Sequence, residues 1–456
     1  MRIAVVGGGI AGLAAAFEVC EEAEVTVYEP GRLGGKLRTS EFGGLPVDEG
    51  PDAFLTRTPA AVDLTVSVGL GDDLVAPAAG RTLVHFAGRL HPLPSGLVLG
   101  VPTDIAALAM SRLLGPLGAA RAAWDIVAPS TPVGDDESVR NLVAARFGRR
   151  VADRLVEPLL GSIHAAPTAQ LSAKATAPSL LTTARSSRSL LVGLRSQAPP
   201  TTSSNTPVFL APRAGMASLV EALVAKLRGA GVTFVSQGVR TIRQPNRGAG
   251  LLDVDGEPYD GAVLAVAAPE AARILGEHAP RCLGSVDFTD VVVATVCVSR
   301  SSVGLPDDVN GVLVAPGSGM LMTACSFGSN KWPHWSSGSD QMVLRISAGR
   351  HGDSRTVKLS DDEIVETLIA DLSAAIQRPL AATQWRLSRW PGAFPFYRVG
   401  HLGWVDKVRS DLARTLPQVA LAGSSYNGAG IPACVASGRG AARQVSTVVS
   451  DVSTAS

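Results

Sequence analysis

The residues with the clearest chemical potential lie at the start of the chain. Arg2-Ile3-Ala4-Val5-Val6 reads as an apolar strand, and Gly7, Gly8, Gly9, Ile10, Ala11 and Gly12 follow it directly. The small-residue run Leu13-Ala14-Ala15-Ala16 then reads as a helix, and Glu24-Val25-Thr26-Val27-Tyr28 as a second strand that ends on Glu29. Each glycine has a physical task in that order: Gly7 permits a tight turn, Gly9 lets the backbone approach a pyrophosphate, and Gly12 lets the helix pack against the strand. The first helical turn offers unpaired N–H groups and a positive dipole end to the phosphates, and Glu29 can accept hydrogen bonds from a ribose. Glycine-rich turns are common by themselves. With strand, helix and acid all in sequence, the pattern predicts a dinucleotide site.

The next segment bears on which dinucleotide. Gly31-Arg32-Leu33-Gly34-Gly35-Lys36-Leu37-Arg38-Thr39 follows Glu29-Pro30, and Val47-Asp48-Glu49-Gly50-Pro51-Asp52 comes soon after. A nicotinamide dehydrogenase has no need of a second glycine pair and two cations beside its ribose-binding acid. A large flavin cofactor held in extended form does: Gly34 and Gly35 allow close approach to its phosphates, and Lys36 and Arg38 add charge-assisted contacts. The bland alternative is a basic surface loop. The segment resembles the second fingerprint of FAD enzymes of the amine oxidase and protoporphyrinogen oxidase superfamily.

The elements that must position these residues predict an α/β fold. Its core is a Rossmann-like FAD-binding domain assembled from residues 1–95, 206–270 and 416–456, joined by a helical insertion over 96–205 and an α+β substrate domain with an antiparallel sheet over 271–415. Pro178 to Pro207, dense in Ser, Thr, Pro and Arg, reads as a loop or hinge that includes Ala198 to Ser204. The cofactor pattern resumes with a helix over Ala217 to Leu227, the strand Val232 to Val235, a hairpin at Asp255-Gly256 and the strand Ala262 to Val266. Alternating strands, among them Val291 to Val298 and Met342 to Ile346, and a helix near Asp361 to Ile376 mark the substrate domain. The strand Val419 to Gly423, a glycine-rich loop over Ser424 to Pro432 and a helix from Ala433 to Val449 return the chain to the cofactor. That return can bring a second helix N-terminus to the redox ring.

Composition sets further bounds. With 456 residues, 46% of them hydrophobic and 18% charged, the chain can build a large core in more than one domain. A net charge of +1 without a long like-charge run excludes nucleic acid as a partner. Cys20, Cys282, Cys297, Cys325 and Cys434 are odd in number and scattered, so they read as reduced, mostly buried residues and not as disulfides or metal ligands. His85, His91, His164, His278, His334, His351 and His401 sit singly without metal spacing, so no metal ligand and no catalytic residue is assigned. Leu97 to Val127 is the most apolar region, but Pro102, Asp104, Arg112 and Arg121 interrupt it. It reads as helices over a substrate cavity; a peripheral membrane contact stays open but is not favoured. A cofactor strand that begins at Arg2 leaves no room before it for a signal peptide, and the expectation is a cytoplasmic setting.

Longer motifs bring a family into view. Arg154 to His164 continuing to Ser172, Arg389-Trp390-Pro391 through Gly400-His401, and Gly423 to Cys434 with Gly428-Ala429-Gly430-Ile431-Pro432 resemble the protoporphyrinogen and coproporphyrinogen oxidases. Leu90 to Pro94 with Gly100 to Thr103, and Ala324-Cys325 through His334, look most like the coproporphyrinogen III oxidases of Gram-positive bacteria. The resemblance spans nearly the whole chain, with the Ser/Thr/Pro loop as the main gap.

It implies FAD as cofactor, oxygen as electron acceptor and a porphyrinogen as substrate. A methylene bridge of the tetrapyrrole would give a hydride to flavin N5 while a pyrrole N–H proton leaves, in three cycles, with hydrogen peroxide as by-product. The cofactor contacts it implies are Gly7 to Gly12, Glu29, Pro30, Lys36, Gly50, Pro51, Asp52, Ala53, Val239 through its backbone, Trp390, and Gly428, Ala429, Gly430 and Ile431. Without it, Val239 and Trp390 read as core residues. The preference for coproporphyrinogen III over protoporphyrinogen IX rests on resemblance, because the arginines that would grip four propionates cannot be picked out. A flavin amine oxidase and a non-catalytic flavin-fold binding protein are the rival readings, and a handover to a ferrochelatase stays open.

Overall fold

A computed structural model describes all residues except 111, 130–131, 198–206, 245–249, 337–339 and 455–456. Its organising element is a five-stranded sheet in the order Thr233–Val235, Glu24–Tyr28, Arg2–Val6, Gly261–Leu264 and Val419–Leu421. Every pairing in it is parallel. Parallel neighbours must be joined by crossover connections, usually helices, that lie over a face, so a parallel sheet is buried on both sides. The opening strand shows this: Ile3 and Val5 join the core beneath one face, Ala4 and Val6 the core beneath the other.

The first of those cores contains the opening helix, Ile10–Val19, the helix Met216–Gly229 and the closing helix, Ile431–Thr454. Small residues let the opening and closing helices touch backbone to backbone. A Cβ on Gly438 would lie 1.9 Å from the Ala11 carbonyl oxygen.

A second sheet of seven strands runs Ala382–Pro395, Phe288–Ser299, Gln341–Ala348, Met322–Phe327, Val309–Val314, Arg81–Phe86 and Arg89–Pro92. It is antiparallel except where Val309–Val314 pairs in parallel with Arg81–Phe86. The helix Asp361–Ile376, started by a Ser360–Glu363 capping box, covers its core with Ile364, Leu368 and Leu372. The insertion forms a separate helical core that includes Leu108, Phe147, Leu155 and Leu180.

Four details differ from the sequence reading. Arg81–Pro92, counted with the first cofactor segment, belongs to the seven-stranded sheet, because its partner strand lies more than two hundred residues away. The helix His401–Thr415, counted with the substrate segment, packs Val405, Val408 and Leu412 beneath the parallel sheet. The expected hinge at Pro178 begins as two helices, Pro178–Ser186 and Leu190–Gln197, since a proline in the first helical turn loses no hydrogen bond. The part from Ala198 to Ser204 lies outside the described residues. In the closing loop, Ser424–Asn427 forms a helical turn ahead of the glycines.

The helix contact can be tested with two glycines of one helix. Gly438→Ala should lower stability by about 2 kcal/mol or more in chemical melts, as overpacking does. Gly440→Ala, where a Cβ meets nothing within 4 Å, should be neutral or stabilising by up to about 1 kcal/mol. Equal effects would refute the tight contact.

Candidate functional site

The glycine turn is asymmetric in a way that shows which side is kept free. A Cβ on Gly7, whose φ is +106°, would lie 2.7 Å from the Ala265 oxygen; on Gly8, 2.6 Å from Leu33; on Gly12, 1.9 Å from the Gly7 oxygen. On Gly9 it would meet nothing within 4 Å. Gly9 is also the N-cap of the opening helix, in extended conformation and without a side-chain cap. Three glycines are therefore required by protein packing, and the fourth leaves a bare helix N-terminus facing open space. That is the geometry for an anionic phosphate group.

The second glycine segment packs onto the first. Gly34 N–H donates to the Gly8 oxygen at 2.8 Å, and a Cβ on Gly35 would lie 3.4 Å from the Gly9 Cα. Glu29 accepts from Gly8 N–H at 2.8 Å and Gly31 N–H at 2.9 Å, which fixes the acid between the two segments. Pro30 borders Gly238, 3.6 Å from the place of its Cβ, while the Val239 side chain is buried in the core.

The two cations have different fates. Arg38 is half-exposed and paired with the buried Glu49 at 3.0 Å. Lys36 Nζ donates to the Ala393 and Gly392 oxygens at 2.5 and 3.2 Å. Its side chain remains accessible, yet surrounding protein desolvates the ammonium and lowers its pKa, with the nearby Cys434 thiol acting weakly the other way.

Gly50 to Ala53 are positioned by a buried charge network. A Cβ on Gly50 would strike the Lys36 oxygen at 2.2 Å, and the Gly50 oxygen accepts from Arg345. Burial raises the carboxyl pKa of Asp52, but Lys331 at 2.9 Å, Arg345 at 3.5 Å and the Trp332 indole N–H at 3.0 Å outweigh it and hold the group well below the carboxylate range. The Asp52 side chain is thus committed to the protein. Pro51 and Ala53 beside it are half-buried.

The far end of the chain closes the site. Trp390 donates its indole N–H to the Glu49 oxygen at 3.1 Å and lies 3.5 Å from the place of a Gly50 Cβ. Gly428, at φ +141°, leads through Ala429 and Gly430 to Ile431, where the closing helix begins. The Gly428 and Ala429 oxygens face the Cys434 thiol at 3.8 Å each, and burial pushes that thiol up to about 11. Tyr397 donates its hydroxyl to the Ser424 oxygen just before this loop. The sequence-predicted residues from Gly7 to Lys36, Gly50 to Ala53, Trp390 and Gly428 to Ile431 therefore border one another. They fit an extended flavin dinucleotide, for the open face at Gly9 and the enclosed ammonium of Lys36 are what its pyrophosphate requires.

The sequence reading missed the residues that hold this cradle from behind. Glu49, Arg345, Lys331 and Trp332 look like ordinary strand and loop residues, and only their juxtaposition reveals the network. It also missed a row of rings, His164, Tyr397, His401, Trp404 and Tyr426, with neighbouring centroids 4.5 to 6.2 Å apart. The segment Ala152–Gly161 before His164 is a π-helix around Pro158, a local irregularity frequent at functional sites. No group of three or more residues able to hold a metal occurs among the described residues.

With this geometry in place, comparison with known proteins is informative. The family described as flavin containing amine oxidoreductase matches residues 10–446. The coproporphyrinogen III oxidase of Bacillus subtilis (strain 168) is 32% identical, over 96% of this chain and 97% of its own. That of Mycobacterium leprae is 35% identical, over 95% and 96%. A crystal structure from Exiguobacterium sp. 255-15, named for protoporphyrinogen oxidase, superposes with a TM-score of 0.87 at 29% identity, covering 99% of both chains.

Gly9→Ala and Gly12→Ala separate ligand approach from packing. The first should leave the stability of the cofactor-free protein within about 0.5 kcal/mol of wild type but reduce retained flavin, whereas the second should cost about 2 kcal/mol or more in the same melts. Full flavin retention by Gly9→Ala would refute close approach there.

Asp48 offers a test by pH. It accepts from Thr39 Oγ1 at 2.5 Å and Met216 N–H at 2.8 Å, yet burial pushes its carboxyl up to about 6. The native state then binds more protons than the unfolded chain, whose value is near 3.8, so this group adds stability as pH falls through 6. In urea melts between pH 7 and 5, Asp48→Asn should lose that gain.

Proposed function

The chain belongs to the flavin containing amine oxidoreductase family, and from that premise we propose that it is an FAD-dependent oxidase of coproporphyrinogen III, yielding coproporphyrin III for haem biosynthesis with oxygen as acceptor. The observation that carries this reading is full-length similarity to coproporphyrinogen III oxidases in a chain whose cofactor cradle is built as described. It is an oxidoreductase of the flavin class.

Each part of the chain has a share in this reading. FAD, when bound, supplies the two-electron chemistry. The bare helix N-terminus at Gly9 and the enclosed Lys36 neutralise its phosphates; Glu29, already fixed by two amides, has lone pairs left for a ribose. Trp390 and the loop Gly428 to Ile431 fix the position of the redox ring from the far end of the chain. In this reading the parallel-sheet unit would hold the dinucleotide, and the seven-stranded sheet with the helical insertion would border the macrocycle. Such a cleft excludes water from a substrate that is apolar apart from its propionates. Among the described residues no helix is long and apolar enough to cross a membrane.

The test is anaerobic mixing of the purified yellow protein with coproporphyrinogen III or protoporphyrinogen IX. The flavin absorbance should bleach with both, and faster by about tenfold or more with the tetrapropionate, since each added charge-assisted contact is worth about 1.5 kcal/mol or more. Readmitted air should restore the colour and yield fluorescent porphyrin and peroxide. A colourless protein, or one that bleaches only with amines, overturns the proposal.

A further inference from the structure

The two faces of the seven-stranded sheet differ in character. On one, Val292, Ala294, Val312, Cys325 and Ile346 are buried in a single core with Ile364, Leu368 and Leu372 of the helix Asp361–Ile376. On the other, the strand pairings line up one row across six strands: Ser388, Val293, Ser347, Ala324, Leu313 and Val84. Residues directly opposite one another in neighbouring strands share a face, so these six side chains stand side by side.

The ends of the row are closed and its middle is open. At one end Ser388 is buried and donates its hydroxyl to Glu49 at 3.1 Å. At the other, Val84 is buried in the core of the helical insertion. Val293, Ser347, Ala324 and Leu313 between them are only half-buried. They lie on interior strands with a neighbour on each side and a sealed core beneath, so water reaches them from above the sheet. Strands about 4.8 Å apart put about 14 Å between Val293 and Leu313, which is the breadth of the opening. Its position is given by Trp390, two residues beyond Ser388 on the same face, whose indole N–H is bonded to the Glu49 oxygen. The opening thus begins beside the residue assigned to the redox ring and runs toward the helical insertion.

The chemistry of the open stretch narrows what can occupy it. Its four side chains include no ionisable group and no ring, so a cationic amine would find neither an anion nor an aromatic face there. The Ser347 hydroxyl is turned back on the sheet, donating to the Ala324 oxygen at 3.2 Å. Interior strands favour β-branched and aromatic side chains, yet the two central positions here are a serine and an alanine. A broad, shallow, uncharged surface suits the face of a flat apolar ring.

Resting on the functional reading above, we propose that Val293, Ser347, Ala324 and Leu313 form the floor on which one face of the substrate macrocycle lies, with Ser347 and Ala324 kept small to set its depth. The row acts by shape. It fixes how far above the sheet the ring stands, and its uncharged side chains leave the propionates to find partners beyond its edges.

The experiment uses the flavin-loaded protein with coproporphyrin III as probe. Ala324→Phe and Ser347→Phe should retain flavin and its reduction by dithionite within about twofold of wild type, while the Kd for the porphyrin rises about tenfold or more. Ser347→Ala, which preserves the depth of the floor, should leave that Kd within about twofold, whereas a hydrogen bond from Ser347 to the substrate would make this variant defective as well.

A second readout avoids the added bulk. Ala324→Cys and Ser347→Cys should each react with a maleimide in the flavin-loaded protein, and saturating coproporphyrin III should slow that reaction about tenfold or more without protecting the half-buried Cys20 and Cys282. It decides the matter if a phenylalanine variant loses flavin. Phenylalanine variants that bind porphyrin as wild type does, a thiol that is unreactive once flavin is bound, or one that porphyrin fails to protect overturns the proposal while the functional reading stands. If wild type itself neither binds the porphyrin nor bleaches with coproporphyrinogen III, the functional reading falls and the floor with it.

Discussion

The rest of the structure depends on the close approach of three backbone segments near Gly12. The opening helix can reach the Gly7 turn only because residue 12 has no side chain, and the closing helix can lie on the opening one only because residue 438 has none. Through these contacts the first and last segments of a 456-residue chain form one cradle. Hydrogen bonding alone would not select this arrangement, since either helix is satisfied internally. What selects it is the absence of side-chain volume along one line, with Ile3, Leu13, Val435 and Val445 filling the space on either side.

The cradle would still be open on the substrate side without a second, electrostatic constraint. Asp52 draws Lys331 and Arg345 from the seven-stranded sheet and its loop, and Arg345 also holds the Gly50 oxygen. Removing water from three charges is costly, and the cost is met only because each finds partners of good geometry. Breaking such a set typically costs about 3–5 kcal/mol, so the network resists sliding of the two sheets past one another. It also keeps the Gly50 backbone against Lys36, where a side chain would not fit.

Sequence legibility followed the range of the interactions. The opening strand, turn, helix and acid were readable because they follow one another in sequence and Gly8 and Gly12 act on residues inside that span, although Gly7 packs against the distant Ala265. The helix Asp361–Ile376 was readable because its Ser360–Glu363 box and apolar periodicity are local. By contrast, Arg81–Phe86 has the pattern of any half-buried strand, and nothing local says that Val309–Val314 will be its neighbour. The helix His401–Thr415 is amphipathic, which tells that it packs but not on which sheet. At the site, Arg38 and Lys36 looked equivalent, and only the buried Glu49 distinguishes them. Trp390 and the Gly428 loop were placed by family resemblance, as Trp390 by itself is indistinguishable from a core aromatic.

The carboxylates around the site are paired within the protein. A flavin brings its own electron sink, so the chain need not supply a redox-active side chain. The protein accordingly turns its carboxylates inward: Glu49 to Ser40, Arg38 and Ser388, Asp52 to Lys331, and Glu157 to Thr168 and Arg350.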